Sequence, residues 1–303
     1  MPHFRPGDCL LVKNERVVIK KFIGSGNQAD VYRVLNIDRH KEMAMKHLYG
    51  FYSTNSQLFY RKLAILSQYP APHPSMVWPI IVSDFEINTG AFVYLMDLLP
   101  SDFKPIAVAM KDKNRNLLSD TQRLSLSKKL AEVFSTLHTK GFIYCDISGD
   151  NIYYRFDEYG NADVRIIDCD NVSMEGQSLG LLGTGLFRSP EVLLGEAPTK
   201  NSDAHALSVT IFRLLIGTHP LDGKFTRSVP FTPNSVVTNF GKNPQYIFSK
   251  NNTNEPTSDK YNQRYSSLSS PLKLYFDVMF CNDCLHNGNK RPDLTKLFKI
   301  LNM

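Results

Sequence analysis

The period of the hydrophobic pattern changes near Pro100, from alternation before it to helical spacing after it, and this change bounds the fold class. "RVVIKKFIG" and "DVYRVLNI" are β-rich and separated by a Gly-Ser-Gly turn. "EMAMKHLY" predicts a third short strand. "SQLFYRKLAILSQY" instead spaces Leu58, Phe59, Leu63, Ile65 and Leu66 as a helix does, and the Pro-rich "PAPHPSMVWP" ends it. "IIVSDFEI" and "AFVYLMDLL" flank an Asn-Thr-Gly turn and read as a hairpin. Beyond Pro100, "TQRLSLSKKLAEVFSTLHTKG" puts Leu126, Leu130, Val133, Phe134 and Leu137 on one face and closes on glycine. "IYCDISGDNIYY" and "ADVRIIDCDN" predict a short β pair behind that helix. From about residue 190 helices alternate with long connections. Residues 222–266, with "SKNNTNEPTSDKYNQ" inside, read as a long surface loop with little regular structure. The layout is α+β: a small β-rich lobe with one helix over residues 1–97, a short linker near 97–101, and a larger, mainly helical lobe over 98–303.

A chain of 303 residues can bury a large core without staples. Its five cysteines are scattered and make no disulfide framework, so a reducing, cytoplasmic setting is the simpler reading. "MPHFRPGDCLLVKNERV" holds no apolar run long enough for a signal peptide, and no stretch reaches the ~20 apolar residues of a membrane span. The net charge of +6 is mild and its lysines and arginines are spread along the chain. That pattern predicts no nucleic-acid partner, as the lack of an apolar span predicts no membrane partner, and supports only a slight preference for anionic ligands such as nucleotides.

Four stretches carry the polar residues that chemistry needs. In "IGSGNQADVY", Gly24, Ser25 and Gly26 fall in a turn where backbone N–H groups can approach phosphates, although an ordinary hairpin loop looks the same. Val31 follows, placed to pack on a flat ring. In "EMAMK", Ala44 and Lys46 share one strand face, so that the lysine can neutralise phosphate charge beneath the turn, or is simply an exposed strand lysine. In "IYCDISGDNIYY", Asp146 can accept or orient a hydroxyl proton and Asn151 offers an amide oxygen to a hard cation, or the stretch is simply an Asx-rich turn. In "RIIDCDN", an apolar strand delivers Asp168 at its end, with Asp170 two residues on, a carboxylate that suits a divalent metal or merely initiates a β-turn. "CNDC" at 281–284 has metal-ligand spacing, but it has no second pair, and a helix-end cysteine pair is the simpler reading.

In order and spacing these stretches resemble the signature set of the eukaryotic-type protein kinases, over nearly the whole chain. "GSGNQADV" resembles the Gly-rich loop, "MAMK" the strand lysine, "YCDISGDN" the catalytic loop, "DCD" the metal-binding triplet and "SPE" the close of the activation loop. "SDAHALSVTIFRLLIGTHP" resembles the buried helix opening with an Asp, here Asp203, and "NKRPDLTKLFKIL" the final helix, whose Arg291 would pair with Glu191. The resemblance implies a two-lobed kinase fold with ATP between the lobes and its adenine near the linker at Met96, Asp97 and Leu98, Met96 guarding the back of the pocket. It implies Lys46 on the phosphates, Asn151 and Asp168 on Mg²⁺, Asp146 on the acceptor hydroxyl, and Thr184 set against Asp146 as in Ser/Thr kinases, with a protein as substrate.

The sequence also departs from the family. The helix glutamate that pairs with the strand lysine is absent, and Lys62 takes its place, so Lys46 is held by another acid, with Asp168 and Asp170 as candidates, by the phosphates themselves, or not at all. Tyr144 and Cys145 replace the usual His-Arg, and Ser148 the catalytic-loop lysine. Such divergence resembles bacterial and phage-associated kinase-like proteins. Two other readings stay open: a pseudokinase that binds nucleotide or partners without transfer, and a small-molecule kinase.

Overall fold

The computed structural model describes residues 3–26, 28–50, 53–177, 183–250 and 253–303. The described chain falls into two compact units, Met1–Ser101 with Ile167–Asp170, and Asp102–Ile166 with Asn171–Met303. Residue 27 of the Gly-rich stretch and residues 251 and 252 of the polar stretch lie outside the described residues.

The first unit is a six-stranded antiparallel sheet with one helix. The strands are β1 (Cys9–Val12), β2 (Glu15–Ser25), β3 (Ala29–Asn36), β4 (Lys41–Leu48), β5 (Pro79–Val82) and β6 (Phe92–Asp97), in spatial order β1-β2-β3-β4-β6-β5. The helix α1 (Ser53–Leu66) lies between β4 and β5 in the chain. The predicted strands and hairpin are all present, and β1 is an addition too short to show periodicity. One sheet face carries the core, in which Val17, Ile19, Tyr32, Met43, Met45 and Leu95 pack together. The indole N–H of buried Trp78 donates to the Leu66 carbonyl at 3.0 Å and fixes the end of α1.

The second unit begins with β7 (Lys104–Pro105), α2 (Ile106–Ala109) and α3 (Asp120–Thr139), then β8 (Phe142–Ile143), β9 (Ile152–Phe156), β10 (Ala162–Ile166) and β11 (Ser173–Met174). Helices α4 (Pro190–Leu193), α5 (Lys200–Ile216), α6 (Lys224–Ser228), α7 (Pro233–Val236), α8 (Asp259–Ser266), α9 (Ser270–Met279), α10 (Asn282–His286) and α11 (Leu294–Leu301) follow. A capping box between Ser119 and Gln122 starts α3. Another between Thr199 and Ser202 starts α5, and Gly217, at φ 92°, ends it in the left-handed region. Because α5 is buried on nearly every face, it serves as the internal post against which α3, α8 and α9 pack. β9 pairs with β10 as the sequence predicts.

Residues 222–266 correct the sequence reading. They hold α6, α7, a π-helical turn at Val237–Lys242, and α8, rather than an irregular loop. The segment is tied by a few dispersed anchors instead of a stripe. Phe240, Tyr246 and Ile247 are buried. The fully buried Asn254 side chain accepts from the Gly223 and Thr226 N–H groups, both at 3.1 Å, and donates to the Leu221 and Gln245 carbonyls, both at 2.9 Å. Among the described residues no helix is long and apolar enough to cross a membrane.

Candidate active site

In the first unit the strand register aligns the candidate residues. Gly24 stands opposite Val31, Val31 opposite Lys46, and Lys46 opposite Tyr94. Directly opposed residues of antiparallel strands share a face, and so do residues two apart, which adds Ala44 and Met96. This face is the one turned away from the Tyr32–Met45–Leu95 core. Gly24 and Ser25 are the last residues of β2, paired with Val31 and Asp30, and do not fall in the turn as the sequence reading has them. A methyl group built on Gly24 or Gly26 would meet nothing within 4 Å, so the space beside them is open. Asp97 is different in kind. Its side chain is exposed and its carboxylate is taken by Lys41 at 2.6 Å, which leaves only backbone groups for a ligand there. Leu98 beside it is half-buried.

Lys46 is held by both acids of the Asp-Cys-Asp triplet. Its Nζ donates to Asp170 Oδ2 at 2.8 Å and to Asp168 Oδ1 at 3.1 Å. Burial opposes the charge on this ammonium, but Asp170 and then Asp168 outweigh it and hold Lys46 protonated well above the usual lysine range. Burial likewise opposes charge on Asp170, yet Lys46, with Lys62 and the Tyr94 hydroxyl behind it, keeps that carboxyl below its ordinary range. Asp168 goes the other way. Burial and the like charge of Asp170 push it up, against the pull of Lys46. Its side chain remains 37% exposed, and its Oδ2 accepts no hydrogen bond among the described residues. Lys62 brings a cation, 4.7 Å from the Phe59 ring centroid, to the position where the family carries its acid. Cys169 between the two acids is fully packed, and burial, reinforced by Asp170 and Asp168, pushes its thiol far up.

The second unit holds Asp146, Asn151 and Thr184 in one hydrogen-bonded set. Thr184 Oγ1 donates to Asp146 Oδ1 at 2.7 Å. Asn151 Nδ2 donates to Asp146 Oδ2 at 2.9 Å and to the Asp146 carbonyl at 3.0 Å. With its nitrogen so used, the Asn151 side-chain oxygen accepts nothing among the described residues. Beneath the loop, buried Asp203 accepts from the Tyr144 N–H at 2.6 Å and the Cys145 N–H at 3.0 Å. That anchoring holds Cys145 at φ 70°, a conformation a side-chain-bearing residue adopts only under constraint. Gly183 completes the set. It sits at φ 67°, and a Cβ there would lie 2.8 Å from the Cys145 carbonyl oxygen, so only glycine lets the Thr184 segment approach. Ser148 is fully buried and brings no charge where the family places a lysine. Arg291, whose side chain is fully buried, clamps Glu191 with bonds of 2.6 and 2.7 Å, as the family resemblance implies. The CNDC cysteines lie at the start of α10, where Cys281 is the N-cap and the buried Cys284 thiol meets the Lys290 carbonyl at 3.2 Å.

Three features escape the sequence reading. Tyr94 behind Lys46 could have been found from strand register once β4 and β6 were paired. The strained Cys145 has no sequence signal, since cysteine is not a residue that favours positive φ. The division of labour between Asp168 and Asp170 needs coordinates.

A family model described as the protein kinase domain matches residues 17–297, and the chain belongs to this family. It is similar to the serine/threonine-protein kinase PrkC of Bacillus subtilis, 24% identical over 295 residues that cover 94% of this chain and 44% of the relative. It is 25% identical over 231 residues to the serine/threonine-protein kinase pkn2 of Myxococcus xanthus, covering 72% of this chain and 26% of the relative. It is 24% identical over 231 residues to the DNA damage-responsive serine/threonine-protein kinase RqkA of Deinococcus radiodurans, covering 74% and 33%. The chain thus spans less than half the length of each of these relatives.

Proposed function

We propose that the chain transfers the γ-phosphoryl group of ATP to serine or threonine hydroxyls of a protein. The observation that carries this reading is the set around Asp146, whose two carboxylate oxygens are fixed by Thr184 at 2.7 Å and Asn151 at 2.9 Å. A carboxylate has about four lone-pair sites, so each oxygen keeps capacity to accept the substrate hydroxyl proton. Holding that carboxylate in one orientation is the main help a protein can give to phosphoryl transfer, where positioning and electrostatics dominate. Lys46 has three N–H donors and spends two on Asp168 and Asp170, leaving one for a phosphate oxygen. Gly24, Ser25 and Gly26 bring their backbone close to the phosphates, with the Gly26 N–H itself held by the Ala29 carbonyl at 2.8 Å. Val31, Ala44 and Met96 form the apolar surface for the adenine, with the backbone of Asp97 and Leu98 at its edge.

The chemistry of each donor by itself suits Mg²⁺. Asp168 Oδ2 and the Asn151 amide oxygen are hard oxygen donors that nothing else engages among the described residues. These two residues would hold the ion, which when bound neutralises charge on the transferring phosphates.

A second reading, a pseudokinase, is favoured by the lost loop cation at Ser148 and by the two carboxylates on Lys46. Purified protein with labelled ATP and Mg²⁺ separates the two. Label on serine or threonine of a protein acceptor, lost by at least two orders of magnitude in Asp146→Ala and in Asp168→Ala, supports the enzyme. Nucleotide binding without transfer leaves the binding module. Label that persists unchanged in both variants belongs to a contaminant and removes the claim.

A further inference from the structure

The second unit contains a cavity of about 400 Å³ that the phosphoryl-transfer residues do not use. Its charged lining is unbalanced. Lys111, Lys113, Arg213 and Arg227 face it, against Asp112 and Asp222. Both carboxylates are already committed. Asp112 is paired with Lys260 at 2.5 Å and Arg264 at 2.6 Å, and Asp222 with Arg227 at 2.9 Å. Lys111, Lys113 and Arg213 therefore have no ion-pair partner among the described residues.

Arg213 is the most telling of the three. It belongs to α5, and its guanidinium stacks 5.0 Å from the Phe187 ring centroid. Burial lowers its pKa, while Asp222 and Asp150 oppose that from a distance without touching it. A desolvated guanidinium stacked on an aromatic ring, with its fork open to a cavity, is arranged for bidentate contact with a carboxylate or phosphate. Thr218 adds a second unmet demand: it lines the same cavity, is 5% exposed, and its Oγ1 has no hydrogen-bond partner. The cavity also adjoins the acceptor end of the site. Leu186 forms part of its wall, and Leu186 is two residues beyond Thr184, whose hydroxyl rests on Asp146. Two residues of extended chain span at most about 7 Å.

We propose that this cavity receives an anionic side chain of the acceptor protein, a carboxylate or a phosphate close in sequence to the phosphorylated hydroxyl, so that the chain selects acidic or previously phosphorylated segments. The proposal rests on the kinase reading for the identity of the occupant. It names Arg213 as the bidentate contact, Thr218 Oγ1 as a further donor, and Lys111 and Lys113 as the electrostatic rim.

The test uses the whole chain and a set of alanine-rich peptides with one central serine. Each flanking position carries in turn Glu, phosphoserine, Ala or Lys. Binding is read by fluorescence anisotropy, which needs no transfer, and phosphorylation by kcat/KM. The expected result is at least tenfold tighter binding and higher kcat/KM for Glu or phosphoserine than for Ala at one position, and weaker binding for Lys. Arg213→Met, which keeps the packing on Phe187, should flatten the preference. The pair Lys111→Glu/Lys113→Glu, at two exposed positions, should reduce it at least threefold. A Glu preference without a phosphoserine preference assigns the carboxylate, and the converse the phosphate. Equal binding of the Glu, phosphoserine and Ala peptides overturns the proposal, as does a preference that survives both variants. Selective binding without transfer to any peptide leaves the cavity assignment standing and overturns the kinase reading instead.

Discussion

Neutralising Asp170 without changing its shape, by Asp170→Asn, tests the charge cluster around Lys46. The contact is short and dry: Lys46 Nζ lies 2.8 Å from Asp170 Oδ2, and the two side chains are 14% and 4% exposed. At that distance and an effective dielectric of about 20, the gross attraction is roughly 6 kcal/mol, most of it offset by the desolvation of both ions. Asparagine keeps an acceptor oxygen but removes the charge. Lys46 is then left with the single carboxylate of Asp168, and Lys62 loses the charge it acts on at Asp170. Removing one partner of a buried pair costs about 3–5 kcal/mol, and Asp168, still at 3.1 Å, should cut this to about 2–3 kcal/mol. Lys62→Met alone should cost about 1 kcal/mol, because it leaves two acids on one lysine. In the double variant each change relieves the other, giving a coupling of about 1–2 kcal/mol. The single tryptophan, Trp78, lies in the first unit, so urea unfolding followed by its fluorescence reports this region. Lys46 should also become more reactive toward an acylating reagent in Asp170→Asn, since its charged form loses its strongest support. An Asp170→Asn variant within about 0.5 kcal/mol of the parent, or strictly additive effects in the double variant, would refute the reasoning.

Other positions give independent tests. Gly183→Ala forces a side chain onto φ 67° and a Cβ to 2.8 Å from the Cys145 carbonyl oxygen; the strain alone is about 1–2 kcal/mol, and transfer should fall at least tenfold as Thr184 leaves Asp146. A parent-like rate would show that the Thr184 contact is dispensable. His219 is buried, its Nδ1 accepts from the Leu221 N–H at 3.0 Å, and burial, helped by the Arg213 charge, lowers its pKa to about 4. An unfolded imidazole takes its proton near 6.5, so stability from this group is full above that pH and is lost as pH falls toward 4, by up to about 3 kcal/mol. His219→Asn keeps the acceptor for Leu221 and should flatten that part of the pH–stability curve; an unchanged slope would assign it to other groups. Arg291→Lys cannot reproduce both bonds to Glu191 and should cost about 2–4 kcal/mol by far-UV circular dichroism, whereas a loss below about 0.5 kcal/mol would mean the clamp matters little.

The elements that the sequence reveals are those whose burial is periodic. β2 and β3 show stretches of alternation and α3 shows a stripe, with a glycine just beyond β2 and α3. Residues 222–266 defeat the same approach because their order comes from single anchors. Asn254 satisfies four backbone groups from one buried amide, and such a tie has no period to detect. The site divides similarly. Asp146, Asn151 and Asp168 are legible because each ends a strand or sits in a polar loop between apolar runs. Thr184 is legible only through family resemblance, and its contact with Asp146 depends on a glycine conformation at Gly183 that the sequence permits but does not demand. The charged lining left unpaired around Arg213 is invisible in a chain whose cations look evenly spread, since pairing is decided by contacts up to 152 positions apart, such as Arg264 with Asp112.

The exchange of charges between α1 and the Asp-Cys-Asp turn has a mechanical consequence. In the family at large the strand lysine is ordered by a glutamate on a helix, so helix position can decide whether the lysine is ready. Here α1 contains no acid at all, and its Lys62 acts on Asp170 as a second cation. The acid that orders Lys46 comes instead from a turn only two residues from Asp168, with Asp168 itself at φ 53°. Two residues of such a turn have little freedom to move separately, so the placement of Lys46 and that of the metal-binding candidate Asp168 are tied to one piece of backbone. Displacing α1 would take away a supporting cation from Asp170 but no partner from Lys46. Ordering of the lysine in this chain therefore depends on the conformation of that turn more than on the position of the helix.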